Sequence, residues 1–177
     1  MADTLTPCFL DRRTIDKAYP LVRDVIPGLT VNRWVKFSRP YLAHRSLDRA
    51  RGVMTIQNAA GYILALFVFE VRDDLYESRI LYLDYIMIAN VPGRRRIRDS
   101  AIGAAENLAR LNGCRAIRAE LGGELERSDE NLLPSLERSG YSPVGVRTLK
   151  RMKAKSSSAE TESTGTLPGS QPGWYHA

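Results

Sequence analysis

Cysteine and histidine are scarce in this chain: among its 177 residues only Cys8, Cys114, His44 and His176 are of these types. Two cysteines cannot build a disulfide framework or a cysteine-based zinc site, which points to a reducing compartment. Two histidines, one of them in a tail, leave little for a histidine-based triad or a multi-histidine site, and no metal is expected. Long apolar runs are missing too. The most apolar stretch, Tyr62–Phe69, is eight residues, against the roughly 20 that a spanning helix requires, so no membrane partner is expected. Met1–Leu10 lacks the basic segment and apolar run of a secretory signal, and the cytoplasm is the expected location. Neither sign of charge dominates. The 26 Lys and Arg against 20 Asp and Glu give a net charge of +6, dispersed enough to suit an anionic small ligand as well as a nucleic acid.

What is present suits one ordinary domain, with 44% hydrophobic and 26% charged residues. Thirteen of the eighteen residues from Ser156 to Gly173 are Ser, Thr, Gly or Pro. Such a composition cannot bury enough apolar area to offset its ordering entropy. The expected organisation is therefore a domain over residues 1–153 and a disordered tail over 154–177, with Trp174 and Tyr175 a frayed end.

Within the domain, Ile15, Ala18, Tyr19, Val22 and Ile26 recur at helical spacing after Thr14, a candidate cap, and stop at Pro27-Gly28. Val31, Trp34, Val35 and Phe37 suggest a short second helix ending before Pro40, with a polar connector from His44 to Arg51. Val53–Gln57 and Tyr62–Glu70 read as a hairpin around Asn58–Gly61. Ile80–Ile88 reads as a central strand covered on both faces. Ile97, Ala101, Ala104, Ala105, Leu108 and Leu111 form a helical stripe closed by Asn112-Gly113. A short strand at Ala116–Leu121, a helix at Glu130–Ser139 ending at Gly140, and a last strand at Val144–Met152 complete the order, with room for a weak strand at Cys8–Asp11. Consecutive hairpin strands followed by strand, helix and strand predict an α/β (α+β) fold with a mixed sheet.

One residue stands out inside this pattern. Asp84 is the only charge in the central strand, and a carboxylate there is costly to bury unless it is hydrogen-bonded or functional. The bland alternative is that it lies at an open end of the sheet and pairs with Arg79 or Arg33. Glu120, closing the next strand, is a second candidate base, with plain surface exposure as its alternative.

Three stretches carry a resemblance: Tyr82–Asn90 as central strand, Ala101–Cys114 with its Ala-Arg-Leu-Asn-Gly-Cys ending, and Leu136-Glu-Arg-Ser-Gly-Tyr-Ser-Pro-Val-Gly145. In this the chain, over about Cys8–Met152, resembles the GCN5-related N-acetyltransferase (GNAT) family. The resemblance implies a mostly antiparallel, twisted sheet flanked by helices on both faces. It implies acetyl-CoA as cosubstrate and an amine, on a small molecule or a protein, as acceptor, with a homodimer an admissible assembly. The backbone of Ile86, Met87 and Ile88 would then bind the pantetheine arm where the central strand splays from its neighbour. Asp84 or Glu120 would take the acceptor's proton. The family's phosphate cradle, Gln/Arg-x-x-Gly-x-Gly/Ala at a helix start, falls on Gly93-Arg94-Arg95-Arg96-Ile97-Arg98, so Arg96 and Arg98 stand at its glycine positions.

Two outcomes follow from those four arginines. Their guanidinium groups bind phosphate directly, by charge-assisted bonds that need no bare backbone, or the cradle is blocked and the chain is a non-catalytic binding or regulatory protein. A solvated basic turn with no ligand is the plain alternative. Asp99-Ser100 could instead cap that helix one turn later and put a carboxylate near any phosphate. Leu136 stands where the family often has an acidic tyrosine; Tyr141 is the remaining candidate acid, against a packing role. Trp34, Phe37 and Tyr41 could line an acceptor pocket, although core packing is the commoner role, and both cysteines read as small core residues. Nucleic-acid binding through Arg94, Arg95, Arg96 and Arg98 ranks last, since no aromatic residue interleaves them.

Overall fold

The computed structural model describes residues 4–42, 50–121 and 130–144. The chain divides into a compact unit, Met1–Pro143, and a second unit, Val144–Ala177, of which Val144 alone is described. The expected last strand at Val144–Met152, the domain boundary at 153, the tail and most of the connector after Leu42 lie outside the described residues.

The first unit is built on a five-stranded sheet in sequence order: β1 (Thr6–Phe9), β2 (Arg51–Gln57), β3 (Ile63–Asp74), β4 (Ser78–Ile88) and β5 (Ala116–Ala119). The first four strands are antiparallel and β5 runs parallel to β4. The helices are α1 (Ile15–Val25), α2 (Val31–Ser38) with a 3₁₀ turn at Arg39–Tyr41, α3 (Arg94–Leu111) and α4 (Leu132–Arg138). Between β2 and β3, Asn58 Oδ1 accepts the N–H groups of Ala60 and Tyr62 at 3.1 and 2.9 Å, the side-chain-braced turn that its sequence promised. β3 and β4 extend further than expected, because the mostly polar ends Val71–Asp74 and Ser78–Arg79 pair across the hairpin, with Val71 packing at the margin of the core. The turn at the tip of that hairpin exposes Leu75 and Tyr76 at 99% and 92%.

Each face of the sheet carries its own core. On one, Met54, Ile56, Phe67, Phe69, Leu81, Leu83, Ile86 and Ile88 pack under Ile97, Ala101, Ala105 and Leu108 of α3 and Leu132 and Leu136 of α4. On the other, Val53, Leu66, Val68 and Met87 pack against Ile15, Ala18 and Val22 of α1 and Trp34 of α2. Trp34 is 1% exposed and donates its ring N–H to Ile15 C=O at 3.0 Å, so it is a core strut between the first two helices. At Gly52 a side chain would meet the Phe69 ring at 2.9 Å, which makes that glycine a packing requirement.

Helix ends follow their residues, with two differences. Thr30 caps α2, accepting from Arg33 N–H at 3.3 Å. Thr14 does not cap α1; instead Asp11 gathers the N–H groups of Arg13 and Thr14 and the Thr14 hydroxyl. Asp99-Ser100 does not start α3. That helix begins one turn earlier, at Arg94, with Gly93 as a left-handed N-cap whose carbonyl accepts from Arg96 and Ile97. Among the described residues no helix is long and apolar enough to cross a membrane.

Candidate functional site

The chemistry-bearing residues converge where β4 and β5 part. Pairing between these strands runs from Ile80 opposite Ala116 to Leu83 opposite Ala119, and a last bond joins Glu120 N–H to Leu83 C=O at 2.9 Å. β4 then continues to Ile88 with no strand on that edge among the described residues. The parting coincides with a bulge. Leu66 faces Met87 and Val68 faces Asp84, so Phe67 of β3 is opposed by both Tyr85 and Ile86, and Tyr85 takes φ +51°.

The bulge decides which backbone groups are offered. Ala89 N–H bonds to Leu64 C=O of β3 at 2.8 Å. Neighbouring residues of an extended strand present their backbone to opposite edges, so Ile88 and, by the same alternation, Ile86 turn theirs toward the edge β5 has left. Met87 turns its own to β3 and sends its side chain into the α1 core. Of the three residues expected to offer backbone groups, two face the open edge.

The start of α3 lies beside that edge. Arg94 folds back over it, donating from Nη2 to Ile88 C=O at 3.1 Å and from Nη1 to Asn90 Oδ1 at 3.4 Å. Arg95 and Arg96 are exposed, Arg95 with Asp99 one turn on at 3.9 Å. Ile97 is core. Arg98 is 7% exposed and points away from the helix start, its Nε donating to Ser135 Oγ of α4 at 3.1 Å, where Arg138 Nη2 also donates at 2.9 Å. Of the two residues at glycine positions, then, Arg96 is exposed and Arg98 joins α3 to α4. A Cβ at Gly93 would meet nothing within 4 Å.

Proton-handling groups stand on both sides of the sheet. Asp84 and Glu120 are half-buried on the α1–α2 side. Asp84 Oδ1 accepts Tyr85 N–H at 3.0 Å inside the bulge. Glu120 accepts the Tyr82 hydroxyl, and the Tyr82 ring lies under the Arg72 guanidinium at 4.1 Å, itself paired with Glu70 at 2.7 Å. Next to the bulge, Phe37 of α2 packs edge-on against Tyr85 at 5.2 Å and against Tyr41 at 5.5 Å. Phe37 and Tyr41 therefore line this side as half-buried aromatics, whereas Trp34 is core.

On the α3–α4 side a cavity of about 10 Å³, room for one water, is bordered by Phe67, Leu83, Ile86, Arg98, Leu136 and Tyr141. Tyr141 owes its place to the way α4 ends. Gly140 adopts φ +88°, Gly140 N–H bonds to Glu137 C=O and Tyr141 N–H to Leu136 C=O, the paired closure that glycine permits after a helix. This folds the tyrosine back beside Leu136, and both border the cavity. Tyr141 Oη is buried with no hydrogen-bond partner among the described residues. Burial, and then the nearby Glu106 charge, push its pKa up to about 12. Cys114 is half-buried, packs against the α3-side core, and its thiol is pushed up by burial. Among the described residues no group of three or more His, Cys, Asp or Glu could hold a metal ion.

Sequence reasoning missed Tyr82, Ser135 and Arg138. Tyr82 and Ser135 act through partners 38 and 37 positions away, Glu120 and Arg98, which nothing local in the sequence marks, and Arg138 enters only through Ser135, three positions before it on α4.

No family model matches this chain and no curated protein matches it. Solved structures do. An aminoglycoside N-acetyltransferase, AAC(6')-Iy, in complex with CoA is 12% identical, with a TM-score of 0.66 over 87% of this chain and 98% of its own. Glucosamine-6-phosphate N-acetyltransferase from Arabidopsis thaliana is 14% identical, with a TM-score of 0.61 over 85% and 99%. A transcriptional regulator from Bacillus halodurans is 12% identical, with a TM-score of 0.68 over 84% and 100%. The fold is that of the GNAT acetyltransferases, a mixed sheet that is mostly antiparallel with helices on both faces.

Proposed function

We propose that this chain is an acyl-CoA-dependent N-acyltransferase that acts on an amine, of a small molecule or of a protein. The observation that carries the reading is the backbone edge of Ile86 and Ile88, which no strand among the described residues covers where β4 parts from β5 at the bulge. An amide-bearing arm can add to that edge as a short strand does, through N–H and C=O groups that no side-chain substitution removes.

The residues present fit acetyl-CoA. Arg94, Arg95 and Arg96 stand at the start of α3, Arg94 with its guanidinium on Ile88 of β4 and the other two exposed, a set of donors suited to a diphosphate without bare glycine backbone. Gly93 leaves open space at the turn. Bound acetyl-CoA supplies an activated acyl thioester. The chain's part is to hold that carrier on the β4 edge and manage protons on either side of it. Glu120, oriented by Tyr82, and Asp84 are the candidate acceptors of the amine's proton on the α1–α2 side. Tyr141, whose hydroxyl is kept protonated far above neutral pH, borders the same cavity as Ile86 and is the candidate donor.

A second reading has support of its own. Arg94 covers the Ile88 carbonyl, and a protein of this fold that no longer admits the carrier would be a binding or regulatory module. Calorimetric titration with acetyl-CoA and CoA, followed by assay of thiol release with a panel of primary amines, separates the two. Saturable binding with amine-dependent thiol release is expected. No heat and no thermal shift at millimolar ligand would overturn the transferase reading.

A further inference from the structure

Arg94 makes two contacts that a phosphate ligand alone would not call for. Its Nη2 holds the C=O of Ile88 and its Nη1 the side chain of Asn90, at 3.1 and 3.4 Å. Ile88 is the last residue of β4, and by the alternation of the strand its carbonyl points to the edge that no strand among the described residues covers. The same arginine therefore covers the acceptor an incoming amide N–H would use, and belongs to the basic turn that would meet a phosphate.

From this double position we infer that Arg94 is a phosphate-released plug: it closes the β4 edge at Ile88 and leaves it when a phosphate group offers its guanidinium a charged partner. The inference rests on the acyl-CoA reading above and deepens it, since it makes Arg94 the residue that selects the form of the carrier. A thioester arm bearing a diphosphate gives the guanidinium a stronger, charge-assisted bond in exchange for a neutral carbonyl. An arm without phosphate, such as pantetheine, must break the Arg94–Ile88 bond and offers nothing in return. The site then discriminates against bare pantetheine, beyond the charge attraction that Arg95 and Arg96 provide to any anion.

The test is binding calorimetry on the full chain, wild type and Arg94→Ala, with CoA and with pantetheine as probes. Arg94→Met, which keeps an apolar stem of similar length but no donor, serves as a second variant should alanine disturb folding as judged by thermal melting. The expected result is opposite signs: removal of the guanidinium tightens pantetheine and weakens CoA, so that the preference for CoA falls by at least about tenfold, or about 1.4 kcal/mol. Both probes weakening alike would make Arg94 a structural strap and overturn the inference. Both tightening alike would make it an obstacle only and overturn it equally. Absence of CoA binding in wild type and both variants would instead remove the acyl-CoA reading itself, and the plug with it.

Discussion

Tyr82 and Glu120 meet hydroxyl to carboxylate at the point where β4 and β5 separate, 38 positions apart in the chain and on the α1–α2 side of the sheet. The phenol donates and the carboxylate accepts, while Arg72 lies over the ring and is paired to Glu70. Glu120 is thus held by a side chain whose own position is set from two strands, whereas Asp84 spends one oxygen on the N–H of its neighbour in the bulge.

This difference predicts which carboxylate matters to the chemistry. Glu120→Gln should lower kcat for amine acylation by about 10²- to 10⁴-fold, the usual worth of a general base. Tyr82→Phe should cost less and change the pH–rate profile. Asp84→Asn should act mainly on stability. Thiol release measured against pH for the three variants checks the ranking.

Tyr141 predicts a pH effect of stated sign. Its phenol ionises near 10 in an unfolded chain and is raised to about 12 here by burial and then by Glu106. Between those values the unfolded state has lost the proton that the folded state keeps, so stability falls as pH rises through this window, and the contribution is intact below it. Denaturant midpoints from pH 9 to 12 should show this fall, and Tyr141→Phe should lack it. At pH 7 the same variant removes a buried hydroxyl with no partner among the described residues, so it should not lower stability.

The two arginines on Ser135 should behave differently. Arg98 is buried and joins α3 to α4, and Arg98→Ala should destabilise by roughly 1–3 kcal/mol through the lost bond and the lost packing of its stem. Arg138 is exposed, and Arg138→Ala should cost less than about 1 kcal/mol. Urea unfolding of both variants measures the contrast.

Two glycines should resist alanine for unlike reasons. Gly140→Ala meets no neighbour but forces a left-handed backbone on an L side chain, which costs about 1 kcal/mol. It should also loosen the turn that places Tyr141. Gly52→Ala has an ordinary backbone but would press on the buried Phe69 ring, a crowding worth about 1–3 kcal/mol. Thermal melts of the two proteins test the magnitudes, and only Gly140→Ala should also reduce acyl transfer.

Much of the fold could be read directly from the residues. The helical stripe of Ile97, Ala101, Ala105 and Leu108 is the α3 face that packs on the sheet, and Gly113 and Gly140 end their helices as their residue type suggests. The start of α3 was less legible. Asp99-Ser100 looks like a cap, yet Gly93 begins the helix with a backbone carbonyl and no side-chain bond. Of the site, Asp84 announces itself as a charge in an apolar strand. The bulge beside it does not, because it exists only as a mismatch of register with β3. The destination of Arg98 was hidden for a similar reason: its partner, Ser135, is 37 positions away on another helix. The family resemblance set Arg98 at a glycine position of the cradle, and tertiary packing turns its side chain to α4.

The extra residue at Tyr85 carries a consequence for how this chain can vary. Leu83 and Ile86, one odd and one even, share the α3 face only because the bulge resets the alternation between them. An in-frame deletion of Tyr85 would take out the surplus residue alone: Asp84, Ile86, Met87 and Ile88 would then stand opposite Val68, Phe67, Leu66 and Ala65 in unbroken alternation, each on the face it already occupies. What would go is the local bend that a bulge gives its strand. Losing this single codon should therefore spare the core and cost the protein the parting of β4 from β5.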